Sequence, residues 1–189
     1  MRHRIAGEHP EENPSQELKE HTILPREPPP PDNAHYPHPG PLSRIPAASL
    51  HKTQHWLPQP LQGNVASRGD DNNLTTYYHS QPGLVYPWWV LDLGNTHIIH
   101  HINILPRPGY YSFRFHNIEV RVGNIREESG KFSSFSLFST YVGPYSDTMG
   151  NLSCYRRDGV TGRYISVQRV TPEDDMLQIS DVRVFVLIQ

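Results

Sequence analysis

The 189-residue chain contains one cysteine, Cys154. A single thiol excludes a disulfide within the chain and any cysteine-based metal cluster. No uninterrupted apolar run approaches the roughly 18 residues that a membrane-spanning helix needs, so direct membrane insertion is not expected. Neither sign of charge dominates. With 17 basic against 19 acidic residues there is no footprint for nucleic acid and no polybasic membrane patch. The N-terminus, MRHRIAGEHPEENPSQ, has basic residues but no apolar core behind them, and does not read as a secretory signal.

Motifs of catalysis are missing too. There is no serine nucleophile elbow, no HExxH and no phosphate-cradling glycine loop. His100 and His101 sit in the middle of a β-rich run, where neighbouring side chains point to opposite faces. One ring is expected half-buried and the other exposed, with no joint grip on an ion. Glu173-Asp174-Asp175 follows Pro172 and reads as a solvated turn. No catalytic residue is assigned and no enzyme is expected.

Proline is abundant but unevenly spread. Thirteen of the 19 prolines and seven of the 12 histidines fall within residues 1–62. The apolar residues there are sparse and without period, so the segment cannot offset its own ordering entropy. A disordered, polyproline-like tail is expected over 1–62, and a folded domain over 63–189.

Within 63–189 short β-rich runs recur: WWVLDL (88–93), IIHHINIL (98–105), IEVRV (118–122), FSSFSLFSTYV (132–142), RYISVQRV (163–170) and DVRVFVLI (181–188). Ile118, Val120 and Val122 alternate with Glu119 and Arg121, the pattern of a strand with one wet face. Pro87, Pro106, Pro108, Pro144 and Pro172 lie between runs, as strand ladders require. No segment keeps a helical period. The pattern predicts an all-β domain, a sandwich or barrel.

Candidate chemistry centres on PRPGYYSFRFHNIEVRVG (106–123), where Arg107 and Arg114 flank a Gly-Tyr-Tyr turn. A guanidinium is a planar fork of donors suited to two neighbouring oxygens. Two such forks and a histidine could grip the vicinal hydroxyls and ring oxygen of a sugar, with Tyr110 and Tyr111 under its C–H face. The other reading is of two ordinary solvated charges at a strand end.

The blocks GNVAS (63–67), PWWVLDLG (87–94), RPGYYSFRFHNIEVRVGN (107–124), GRYISVQ (162–168) and LQISDVRVFV (177–186) occur in the order seen in F-type lectin modules. The chain resembles that family, and in particular cysteine-poor variants found in insect selectin-like receptors. The resemblance spans about 63–189 and implies a jelly-roll-like β-sandwich of the discoidin, coagulation factor 5/8 C-type class. It also implies non-catalytic recognition of fucose-type glycans in a cell-adhesion or receptor ectodomain, outside the cell or at its surface. The family grips fucose with a histidine and two arginines, which fall here on His79, Arg107 and Arg114. The interval to His79 is one residue outside the usual one. The family's aspartate between the arginines is Gly109, and its adjacent cysteine pair is Tyr110 and Tyr111. These losses keep open a second reading, a protein-binding adhesion module whose sugar site has decayed. Partners are accordingly fucosylated glycans or a cell-surface glycoprotein, with avidity from an oligomer or a multi-module parent chain of which this is a fragment.

The same resemblance implies a structural calcium ion, with Asp70, Asp71, Asn73 and Asp181 as nearest equivalents of its ligands, or a polar turn with no ion. Asn73-Leu-Thr75 and Asn151-Leu-Ser153 are acceptor patterns for N-linked glycans. Arg68-Gly69-Asp70 has the form of an integrin-binding tripeptide but lies close to the first strand, a poor position for an exposed tip.

Overall fold

The computed structural model describes residues 42–44 and 65–187. Apart from Leu42–Arg44, the expectations for the proline-rich tail lie outside the described residues. Among the described residues seven strands form one antiparallel, hydrogen-bonded sheet: β1 (Leu42–Arg44), β2 (Tyr78–His79), β3 (Trp88–Pro106), β4 (Ile118–Gly123), β5 (Ser136–Tyr141), β6 (Leu152–Arg169) and β7 (Gln178–Leu187). Their spatial order is β1-β7-β3-β6-β4-β5, and β2 also pairs with β7.

Two long strands turn this sheet into a sandwich. The first part of β3, Trp88–Asp92, pairs with the end of β6, whose other edge carries β4. The second part of β3 pairs with the start of β6 and with β7. The register slips between Asp92 and His97, where Gly94 takes a φ of +77° and its N–H donates to Asp92 Oδ1 at 2.8 Å. Arg163 closes a bidentate pair on the same carboxylate at 2.6 and 2.8 Å. The runs 88–93 and 98–105 are thus one 19-residue strand. A bulge lets it pass from one layer into the other.

One apolar cluster fills the space between the layers, joining Trp89, Leu91, Ile102, Val120, Ile165 and Val184 from four strands. Burying each such side chain contributes about 1.5–3 kcal/mol. WWVLDL is a continuous apolar run because both its faces are covered. Trp89 enters the main core, and Trp88 packs in a second cluster with Phe132, Phe135 and Tyr164. Here FSSFSLFSTYV departs from expectation. Phe132–Ser134 form a 3₁₀ turn that aims Phe132 at Trp88, and the strand begins only at Ser136.

Two further expectations are corrected. His100 is the extra residue of a β3 bulge and is fully buried, edge-on to Tyr155 at 4.5 Å, while His101 is half-buried and stacks on Phe185. Neither ring stands in solvent. Leu42–Arg44, expected within the disordered tail, form a strand that pairs with β7 in antiparallel register.

Candidate functional site

Three loops and the short strand β2 meet at one pole of the sandwich. Tyr78 faces the core, so its neighbours Tyr77 and His79 turn to the other side of the chain, with ring centroids 6.2 Å apart. The Arg107 guanidinium lies 4.3 Å over the Tyr77 ring and 5.1 Å from that of Tyr111. Arg114 lies 4.2 Å over Tyr111. Each cation is therefore held against an aromatic face rather than free in water. Both are close enough to act electrostatically on His79.

His79 is buried, and its Nδ1 lies 2.6 Å from the Ser80 carbonyl. A carbonyl only accepts, so Nδ1 carries the proton. Burial lowers the ring's pKa, the Ser80 contact opposes this, and Arg107 and Arg114 lower it further. The net direction is downward, which leaves a neutral ring with a lone pair on Nε2. Donation to a hydroxyl from His79 does not fit this arrangement; acceptance does.

The sign of the pH response follows. Protonation below the ordinary histidine value of 6.5 removes the acceptor and adds a third cation. Ligand affinity is expected to be level above neutral pH and to fall by up to about tenfold per pH unit once the imidazole protonates. Folding stability moves the same way, present above 6.5 and declining as pH falls through the lowered pKa. Titration calorimetry from pH 8 to 5 checks this; a flat profile would remove His79 from the contact.

The turn between the arginines is fixed by local hydrogen bonds. Gly109, at a φ of +91°, donates its N–H to Asp147 Oδ2 at 2.7 Å, and Ser112–Arg114 form a 3₁₀ turn. Asp175 Oδ1 stands 3.3 Å from Arg114 Nε, an ion pair without hydrogen-bond geometry. Two carboxylates from other loops thus stand near this turn, one on the Gly109 backbone and one beside Arg114. Tyr111 is occupied by the guanidiniums, while Tyr110, set edge-on to it at 5.1 Å, is 86% exposed. Of the two tyrosines expected to meet a ligand, Tyr110 has the open face.

Several residues of this pole escape the reading of the sequence. Arg169 is fully buried and donates from Nη1 to the Asp175 carbonyl and from Nη2 to the Arg114 carbonyl. One signal was available, since Arg169 continues the inward beat of Ile165 and Val167. Glu173 and Asp174 are exposed, as a solvated turn implies, but the run also ties neighbouring loops together. Asp174 accepts from Gly83 N at 3.0 Å, Glu173 from Asn117 Nδ2 at 3.3 Å, and His116 Nε2 lies 3.2 Å from Glu173 Oε2.

On the loop before β2, burial raises the Asp70 carboxyl to about 7, helped by the nearby charges of Asp71 and Asp181. Asp71 accepts from Asn73 N and the Thr76 hydroxyl, Asn73 Oδ1 holds Thr75, and Asp181 pairs with Arg183 at 2.5 Å. Among the described residues no three His, Cys, Asp or Glu side chains are placed to hold a metal by themselves. Gly69 packs against Trp89, so Arg68-Gly69-Asp70 is not an exposed tip. Asn73 and Asn151 are both exposed.

No protein-family model matches the sequence, and no curated protein is similar to it in sequence. Solved structures are similar in fold. A fucolectin from the serum of striped bass, Morone saxatilis, superposes with a TM-score of 0.61 at 18% identity, over 74% of this chain and 47% of that one. This chain therefore spans about half the length of the bass protein. The family 32 carbohydrate-binding module of C. perfringens NanJ, in complex with galactose, gives 0.61 at 14% identity over 76% and 98%. A Streptococcus pneumoniae fucose binding module gives 0.56 at 16% identity over 70% and 93%. The chain carries the discoidin-like β-sandwich fold found in F-type lectins and family 32 carbohydrate-binding modules.

Proposed function

We propose that the domain is a non-catalytic recognition module for fucose-type glycans, acting in adhesion outside the cell or at its surface. The observation that carries this reading is the meeting of Arg107, Arg114 and His79 around Tyr77 and Tyr111 at one pole. Two guanidiniums donate to neighbouring hydroxyls, and His79 Nε2 accepts from one of them. Arg114 turns its Nε toward Asp175, which leaves its terminal amino groups for a ligand. Tyr110 offers an apolar face to the ring's C–H groups. Neighbours of the same fold described as a fucolectin and a fucose binding module support the choice of sugar. A single shallow site binds weakly, so useful avidity comes from repeated modules or an oligomer.

A second reading, a protein-binding adhesion module, draws support from the apolar crown of the same loop, where Tyr110 and Phe113 are both exposed. A glycan array of the full chain, with Arg107→Ala alongside and calcium present, separates the two. Fucoside binding abolished by the substitution is the expected result. No glycan bound by the native chain would leave the protein-binding reading.

A calcium ion near Asp70, Asp71, Asn73 and Asp181 is a secondary part of the proposal. The donor set is oxygen only, as this ion requires. The repulsion felt by Asp70 is the kind of excess charge a divalent cation relieves. Backbone oxygens would have to complete the shell. Calcium is expected to raise the melting temperature by a few degrees, an effect lost in Asp70→Asn. Identical melts in calcium and chelator would remove the ion from the proposal.

A further inference from the structure

Gln178 sits where β7 begins, directly across from His79 in the antiparallel β2–β7 pair. Directly opposed residues project to the same face. Tyr78 and Ile179 form the preceding pair and enter the core, so His79 and Gln178 turn together toward the pole with the arginines. The Gln178 carbonyl also accepts from Arg107 N at 3.4 Å, which ties the backbone of one to the backbone of the other. The side chain is only 2% exposed, yet among the described residues neither Oε1 nor Nε2 has a hydrogen-bond partner.

A buried carboxamide with both atoms unmet is costly, and a fold that keeps one calls for an explanation. Hydrophobic residues of the same size would remove the cost. The position beside His79 supplies a reason. A sugar hydroxyl that donates to His79 Nε2 has lone pairs left to accept, and the Gln178 amide N–H is a donor. Its carbonyl oxygen can take the proton of a neighbouring hydroxyl.

We infer that Gln178 is a further ligand-binding residue of this pole, completing a set that accepts as well as donates. The inference rests on the glycan reading above. It narrows the ligand to one with two adjacent hydroxyls, of which at least one must donate. Anionic groups, which only accept, would use the guanidiniums alone and gain nothing from His79 or the Gln178 carbonyl.

The test is calorimetric titration of the full chain with methyl α-L-fucoside, comparing native protein, Gln178→Met, Gln178→Leu and Arg107→Ala, with a melting curve for each. Both Gln178 variants are expected to bind about tenfold more weakly, or ~1.4 kcal/mol. Their melting temperatures should be unchanged or higher, because two unmet polar atoms are gone. That combination is one a structural glutamine would not produce. If native protein binds, Arg107→Ala does not, and the Gln178 variants bind like native, the inference falls and the glycan reading stands. Variants that lose binding together with several degrees of stability make Gln178 a scaffold residue and overturn the inference. If native protein does not bind, the glycan reading fails and takes the inference with it.

Discussion

Replacing Arg169 with alanine is expected to destabilise the domain by about 3–5 kcal/mol, the range seen when a buried charged partner is removed. The guanidinium is fully buried and reaches two backbone carbonyls, those of Arg114 and Asp175, on loops 61 positions apart in the chain. Alanine would leave both carbonyls without their donor and open a void the size of the lost side chain. Burial disfavours the charge itself, as the lowered pKa shows, while Asp175 and Glu173 counter it and Arg114 does not. The contribution of Arg169 is therefore a bridge held at some cost rather than an electrostatic gain. Lysine should not restore it, because one ammonium on a flexible stem cannot span two acceptors as a planar fork does. Thermal melts of Arg169→Ala and Arg169→Lys decide this. A change of less than 1 kcal/mol in either would show that the loops hold without the bridge.

Removing Arg107 is expected to act on binding and hardly on folding. Its guanidinium stacks on Tyr77 and Tyr111 at a half-buried position, and such contacts are worth about 0.5–1 kcal/mol at exposed sites. Two hydrogen bonds from a charged donor to sugar hydroxyls are worth about 1.5–3 kcal/mol each. Arg107→Ala should thus lower fucoside affinity at least about a hundredfold, with a small shift in melting temperature. Arg107→Lys keeps the charge and loses the fork, so most of the loss should remain. Equal binding by lysine and arginine would mean that charge alone is recognised, contrary to a sugar ligand.

The strands that could be read from the sequence are those whose packing is one-sided or complete. Ile118, Val120 and Val122 show the beat of two directly, and WWVLDL shows a strand covered on both faces. The first half of β6, LSCYRRDGV, has no such beat. It is a strand because β3 lies beside it, pairing Ile102 with Cys154 and His101 with Tyr155. Tertiary pairing made that element, and composition could not announce it. The same holds for the pole. Arg107 and Arg114 stood out by their spacing, whereas His79 was named only through the resemblance to F-type lectins. The roles of Asp147, Asp175 and Gln178 depend on which loops meet, and the β3–β7 register slips between Leu105 and Pro106, just where Gln178 approaches. A bulge changes which face a residue takes, and nothing local marks it.

The three-residue strand β1 lies along β7 between Pro41 and Pro46. A protein trimmed to start at residue 63 would present the bare backbone of Phe185, Val186 and Leu187 to its neighbours. Unpaired strand margins of this kind recruit further strands. Shortened versions should therefore clump on concentration where the longer chain stays dispersed. Lying along that margin, Leu42–Arg44 would keep one molecule from zipping onto the next.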